Sequence, residues 1–150
     1  MGVLMRIKIF GRTLREADAG PVGALVTDAG CPAEQIEIIT EMGEPDPDCE
    51  DEVVLLLGTP ETCADPHLEK VLAQAVKGGL RVIWVWPKDA GTAALPAAAA
   101  KYSYSVIPWD AEKLRAVIAD DDVMCFESPI GESLPKVLTE RNLCVDEKVK

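Results

Sequence analysis

Residues 53–58 read VVLLLG, residues 67–77 read HLEKVLAQAVK, and residues 81–86 read RVIWVW. The first and last stretches are nearly continuous apolar runs. A strand with one wet face alternates apolar and polar residues, whereas a strand covered on both faces, as in a parallel sheet, does not. The middle stretch places Leu68, Val71, Leu72, Ala75 and Val76 at the i, i+3, i+4, i+7, i+8 spacing of one buried helical stripe. Asp65-Pro66 supplies an N-cap and a first-turn residue for that helix, and Gly78-Gly79 a stop.

The same alternation of strand and helix extends in both directions. Residues 3–10, VLMRIKIF, alternate after Met5 and predict a first strand ending at Gly11. Gly20-Pro21 breaks the next stretch, and a short helix is expected over 21–28, ending near Gly30. Residues 35–40, QIEIIT, predict a second strand, and residues 44–52, EPDPDCEDE, an acidic loop. Thr59-Pro60 breaks the apolar run that precedes it. Beyond RVIWVW, the pattern predicts a short helix over 96–101 and a fifth strand over 103–109. A helix capped by Asp110 should run to about Ala119, with Leu114, Val117 and Ile118 inward. A short sixth strand is expected over 123–126 and a last helix over 134–142. Alternating elements with several apolar strands predict a doubly wound α/β fold. Residues 1–150 are read as a single α/β domain with a mostly parallel sheet of five or six strands.

Composition narrows the function classes. The 150 residues are 48% hydrophobic, which suits a globular chain able to bury its own core. The formal net charge of -11 repels phosphate backbones and anionic lipid, so neither nucleic acid nor a membrane surface is an expected partner. A basic protein partner suits the charge, and self-association stays open. No run approaches a membrane span, and the apolar start is interrupted by Arg6 and Lys8, so a cytoplasmic location is expected. The cysteines Cys31, Cys49, Cys63, Cys125 and Cys144 are odd in number and lack zinc-ligand spacing, which reads as free thiols in a reducing compartment.

In an open parallel sheet the ligand crevice lies beyond the carboxyl ends of the strands. The loops there offer Gly11 and Arg12, then Gly58, Thr59 and Asp65, then Trp86 and Lys88. Arg12 is the natural anion contact, with a solvated surface arginine as the plainer reading, and Lys88 has the same standing. Glu69 lies about a quarter turn from the centre of the buried stripe, where a carboxylate can face a pocket. It would equally suit the electrostatics of a helix's first turn. His67, the only histidine, is a possible base or an exposed first-turn residue. Trp84, Trp86 and Trp109 can stack a ring or fill a core. Neither common glycine-rich phosphate loop is present. Asp46, Asp48 and Glu50 alternate like a calcium loop but lack its glycine and distal glutamate, so no metal is expected. No cofactor is implied. Ser128–Ser133 holds Gly-x-Ser without the full nucleophile elbow, and with His67 as the only base a triad is not expected.

Residues 51–118 resemble the TIR-like domains and the related nucleoside 2-deoxyribosyltransferases. The resemblance is carried by DEVVLLLG, then Asp65, Glu69, Ala73, Gly78-Gly79 and RVIWVW, and further on by Leu95-Pro96, Lys101-Tyr102 and the runs 106–109 and 114–118. It implies a flavodoxin-like three-layer sandwich. It also implies binding and cleavage of a nucleotide such as NAD at the N-glycosidic bond, with Glu69 attacking or stabilising the anomeric carbon. Standalone bacterial relatives of this type imply a role in defence. The aromatic-rich segment usual before the TIR glutamate is replaced by Asp65-Pro66-His67-Leu68. That departure and the acidity favour the alternative, a non-enzymatic interaction module that serves as an adaptor or as an inhibitor of a basic protein.

Overall fold

The computed structural model of the chain describes residues 5–10, 16–31, 35–39, 51–88, 94–119 and 125–129. Its strands are β1 (Met5–Phe10), β2 (Ile36–Ile39), β3 (Asp51–Leu57), β4 (Arg81–Val85) and β5 (Ser105–Ile107). Its helices are α1 (Glu16–Asp28), α2 (Pro60–Cys63), α3 (Leu68–Lys77), α4 (Ala97–Tyr102) and α5 (Ala111–Ala119). The strands form one five-stranded sheet in the order β2-β1-β3-β4-β5, and every neighbouring pair is parallel. This is an α/β flavodoxin-like sandwich.

The apolar runs give the sheet two buried faces. Ile7, Ile9, Val53, Leu55 and Leu57 face α1 and α5, where they meet Val22, Val26, Leu114 and Val117. Val54, Leu56, Val82, Trp84 and Trp86 face the opposite layer, against Leu68 and Leu72 of α3 and Ala99 of α4. All five residues of β4 are buried. A fully buried aliphatic side chain contributes about 1.5–3 kcal/mol, so these two layers are the main source of stability.

Two helices end in the same device. Gly30 and Gly79 have φ of 102° and 83°, a region costly for any residue with a Cβ. Around Gly30, its own N–H donates to the Thr27 carbonyl (2.9 Å) and the Cys31 N–H to the Val26 carbonyl (3.3 Å). Around Gly79, the N–H groups of Gly79 and Leu80 donate to Val76 and Ala75, each at 3.0 Å. Both are Schellman closures, which satisfy carbonyls that the helix end would otherwise leave unpaired. The second glycine of the Gly78-Gly79 pair therefore carries the turn.

Several elements differ from expectation. The first helix begins at Glu16, five residues before the expected start, and carries Pro21 inside it. A proline at the sixth helical position removes the bond to the carbonyl of residue 17 and crowds that carbonyl, yet the helix continues past it to Asp28. Thr59-Pro60, read as a break, starts the short helix α2: Thr59 is its N-cap and Pro60 its first residue. The strand expected over 103–109 spans only Ser105–Ile107. Ser103 instead closes α4, its N–H donating to Ala99 at 3.0 Å, and Pro108 lacks the N–H that would extend the ladder. Of the sixth strand expected over 123–126, residues 123–124 lie outside the described residues, and Phe126 joins Val106 in a parallel bridge. The helix expected over 134–142 also lies outside them. Among the described residues, no helix is long and apolar enough to cross a membrane.

Arg81 opens β4 but is 4% exposed. Its Nη1 donates to the Val117 carbonyl (2.8 Å) and its Nη2 to the Ile118 carbonyl (3.1 Å), at the carboxyl end of α5. Its guanidinium also lies over the Tyr104 ring, 5.5 Å from the centroid. A cation at a helix carboxyl terminus opposes the helix dipole, and the planar fork fits two adjacent carbonyls.

Candidate functional site

Parallel strands place the segments after Phe10, Leu57, Val85 and Ile107 along one edge. The order β2-β1-β3 reverses direction between β1 and β3, which makes the gap between their carboxyl ends the topological switch point. Gly11 and Arg12, expected on the β1 side of that gap, lie outside the described residues. So does the calcium-like stretch 46–50.

The β3 side is well defined. The Gly58 N–H donates to the Val85 carbonyl (2.8 Å), which ties the loop to β4. Gly58 is buried, and a Cβ placed on it would meet Trp84 Nε1 at 2.4 Å. Its missing side chain therefore makes room for an indole. Thr59 is fully buried and caps α2: its Oγ1 accepts from the Thr62 N–H (3.2 Å) and donates to Thr62 Oγ1 (3.1 Å). Asp65 directs the following turn, Oδ1 accepting from the His67 N–H (2.9 Å). That turn delays the helix, so His67 rather than Asp65 takes the N-cap position of α3. Asp65 Oδ2 is buried without a hydrogen-bond partner among the described residues. Glu69 stands exposed on the first turn of α3, and His67 is exposed beside it.

The β4 and β5 loops hold the aromatic groups. Trp86 is fully buried, and its Nε1 donates to the Glu127 carbonyl (2.9 Å). It packs edge-on against Trp84, with ring centroids 6.0 Å apart. Neither ring has a face to offer a ligand. Trp109 is only half buried, and the Lys88 ammonium lies over it, 5.4 Å from the ring centroid. Asp110 caps α5, Oδ1 accepting from the N–H groups of Glu112 (2.9 Å) and Lys113 (3.2 Å). Lys113 pairs with Glu127, and their hydrogen bond is the main cause that raises the Lys113 pKa above its ordinary value. Lys113 and Glu127 were not foreseen. They meet across 14 residues of chain, and no spacing rule in the sequence signals such a pair.

No family model, no curated protein and no solved structure matches this chain. Among the described residues, no group of three His, Cys, Asp or Glu side chains is placed to hold a metal ion.

A cavity of about 340 Å³ lies at the opposite edge, lined by Gly30, Cys31, Gln35, Arg115 and Ile118 among others. Arg115 there caps α1, Nε donating to the Ala29 carbonyl (3.2 Å) and Nη2 to the Asp28 carbonyl (2.9 Å). The cavity contains none of the residues expected to bind a ligand. Cys31, Cys63 and Cys125 are free thiols, and burial raises the pKa of each. A raised pKa leaves little thiolate at neutral pH, and the thiolate is the reactive form. At pH 7, iodoacetamide should modify Cys31, which is 7% exposed, at least about tenfold more slowly than in the urea-unfolded chain. Peptide mapping by mass spectrometry reads this out, and equal rates would contradict the buried placement.

Proposed function

We propose that this chain is a TIR-like domain that binds a nucleotide such as NAD at the carboxyl edge of its sheet, and that its chemical step is cleavage of the N-glycosidic bond. The observation that supports this most is the switch point between β1 and β3, where flavodoxin-like sheets hold their ligands. Glu69 stands on α3, the second helix after β3, within the segment whose pattern resembles the family. Its carboxylate would stabilise an oxocarbenium-like state or form a covalent ribosyl intermediate. Arg12 would hold a phosphate. A role in bacterial defence belongs to the same reading.

The test is incubation with NAD and a panel of nucleosides, wild type against Glu69→Ala, with products resolved chromatographically. Turnover that falls on the order of a hundredfold in the variant is the expected result. Nucleotide at about a hundred times its Kd should also stabilise the fold by about 2.7 kcal/mol. No turnover together with no shift in Tm would remove this reading.

A second reading is favoured by a separate observation: Glu69 is exposed. With a net charge of -11, a protein-interaction module that neutralises a basic partner fits the same surface. Under that reading Glu69→Ala weakens partner binding in a salt-dependent way and NAD has no effect.

A further inference from the structure

We propose that Lys88 and Trp109 together form a binding site for a planar aromatic ring that carries an anionic group. The natural member of that class, a nucleobase with its phosphate, rests on the nucleotide reading above, whereas the site itself rests on geometry. Of the three tryptophans, Trp84 and Trp86 are fully buried and Trp109 is not. Trp109 follows β5 and Lys88 follows β4, and these strands are adjacent and parallel, so both residues stand on the carboxyl edge. A partly exposed indole leaves some apolar surface in water, and a second ring laid on it removes that surface.

The Lys88 ammonium at present occupies a face of this indole. Base–aromatic stacking outweighs an exposed cation–π contact, so an incoming ring displaces the ammonium. The displaced cation stays tethered beside the ring, where it meets a phosphate or carboxylate borne by the ligand. A chain of net charge -11 needs such a local positive group to accept an anion. Lys113, the neighbouring cation on this edge, is committed to Glu127. Lys88 makes no ion pair among the described residues and is exposed. The sequence offers Trp84, Trp86 and Trp109 alike for stacking, and the burial of the first two leaves Trp109.

The test is calorimetric titration of the full chain with AMP, adenosine and 2-naphthoate, alongside tryptophan fluorescence. AMP and 2-naphthoate should bind and quench fluorescence, with adenosine weaker. Lys88→Ala should weaken the two anions about tenfold and leave adenosine unchanged, and Trp109→Leu should weaken all three. Trp109 also touches the core, so Trp109→Phe, which keeps a ring, is run beside it and should retain most of the affinity. Lys88 is exposed, so its variant should melt as wild type does. Binding of 2-naphthoate alone, lost in Lys88→Ala, would support the site and remove the nucleotide. Absence of binding by both anions, or binding unchanged in both Lys88→Ala and Trp109→Leu, would overturn the proposal.

Discussion

Replacing Gly58 with alanine is expected to lower the stability of the fold by about 3 kcal/mol, the upper end for an overpacked core. The added methyl would meet Trp84 at Nε1 (2.4 Å), Cε2 (2.6 Å) and Cζ2 (2.7 Å), all far inside van der Waals contact. Neither partner can yield easily. The Gly58 N–H is bonded to Val85 within the sheet at 2.8 Å, so the backbone is held in register. Trp84 is fully buried and braced edge-on against Trp86, at an interplanar angle of 80°. A double-mutant cycle identifies the clash. Trp84→Phe removes the Nε1–Cε2–Cζ2 edge that the methyl strikes, together with a buried N–H that has no acceptor among the described residues. In that background Gly58→Ala should cost at least about 1 kcal/mol less, a coupling well above the scatter of independent sites. Urea unfolding of the four proteins measures it. Additive costs would mean that the indole does not set the need for glycine at this position.

That glycine shows where the sequence was legible and where it was not. VVLLLG located a buried strand and its end, because continuous apolar runs have few structural solutions. It did not say why a glycine follows, since ligand approach and close packing of a side chain ask for the same residue. The tryptophans behave alike. Trp84 and Trp86 share a strand face and look equivalent to Trp109 by type, yet the depth of each in the sheet decides which is accessible, and depth is a property of the assembled layers. Pro21 misled in the other direction. It is a strong local signal, but at the sixth helical position it deletes one bond to the first turn and leaves the rest of α1 intact. Thr59-Pro60 was read as a break when it is equally an N-cap followed by a first helical residue. Glu127 had no signal at all: its contacts with Trp86 and Lys113 depend on where a distant segment docks beside β5. The carboxyl edge followed from fold class, and its working surface came from packing.

Arg81→Ala should cost about 3 kcal/mol, the scale of buried hydrogen bonds to a charged donor. At this chain length that corresponds to a fall in Tm of roughly 10 °C. The loss includes three contributions. The carbonyls of Val117 and Ile118 lose donors at 2.8 Å and 3.1 Å, the carboxyl end of α5 loses its compensating cation, and Tyr104 loses the guanidinium over its ring. Substitutions separate them. Arg81→Lys keeps the charge and loses the fork, because an ammonium is a point donor that cannot reach two carbonyls in parallel. Arg81→Met keeps most of the apolar stem and loses both bonds and charge. Stability should therefore fall in the order Arg, Lys, Met, Ala, and amide exchange should accelerate first in the last turn of α5. A competing effect makes this order informative. Burying a guanidinium carries a desolvation cost, and an apolar replacement of similar volume avoids it. Here the carbonyls remain buried after substitution and cannot all regain partners, so the desolvation saved on the cation is offset by acceptors left unpaired. Arg81→Met as stable as wild type would show that desolvation cancels the two bonds, and that Arg81 contributes to the orientation of α5 more than to its stability.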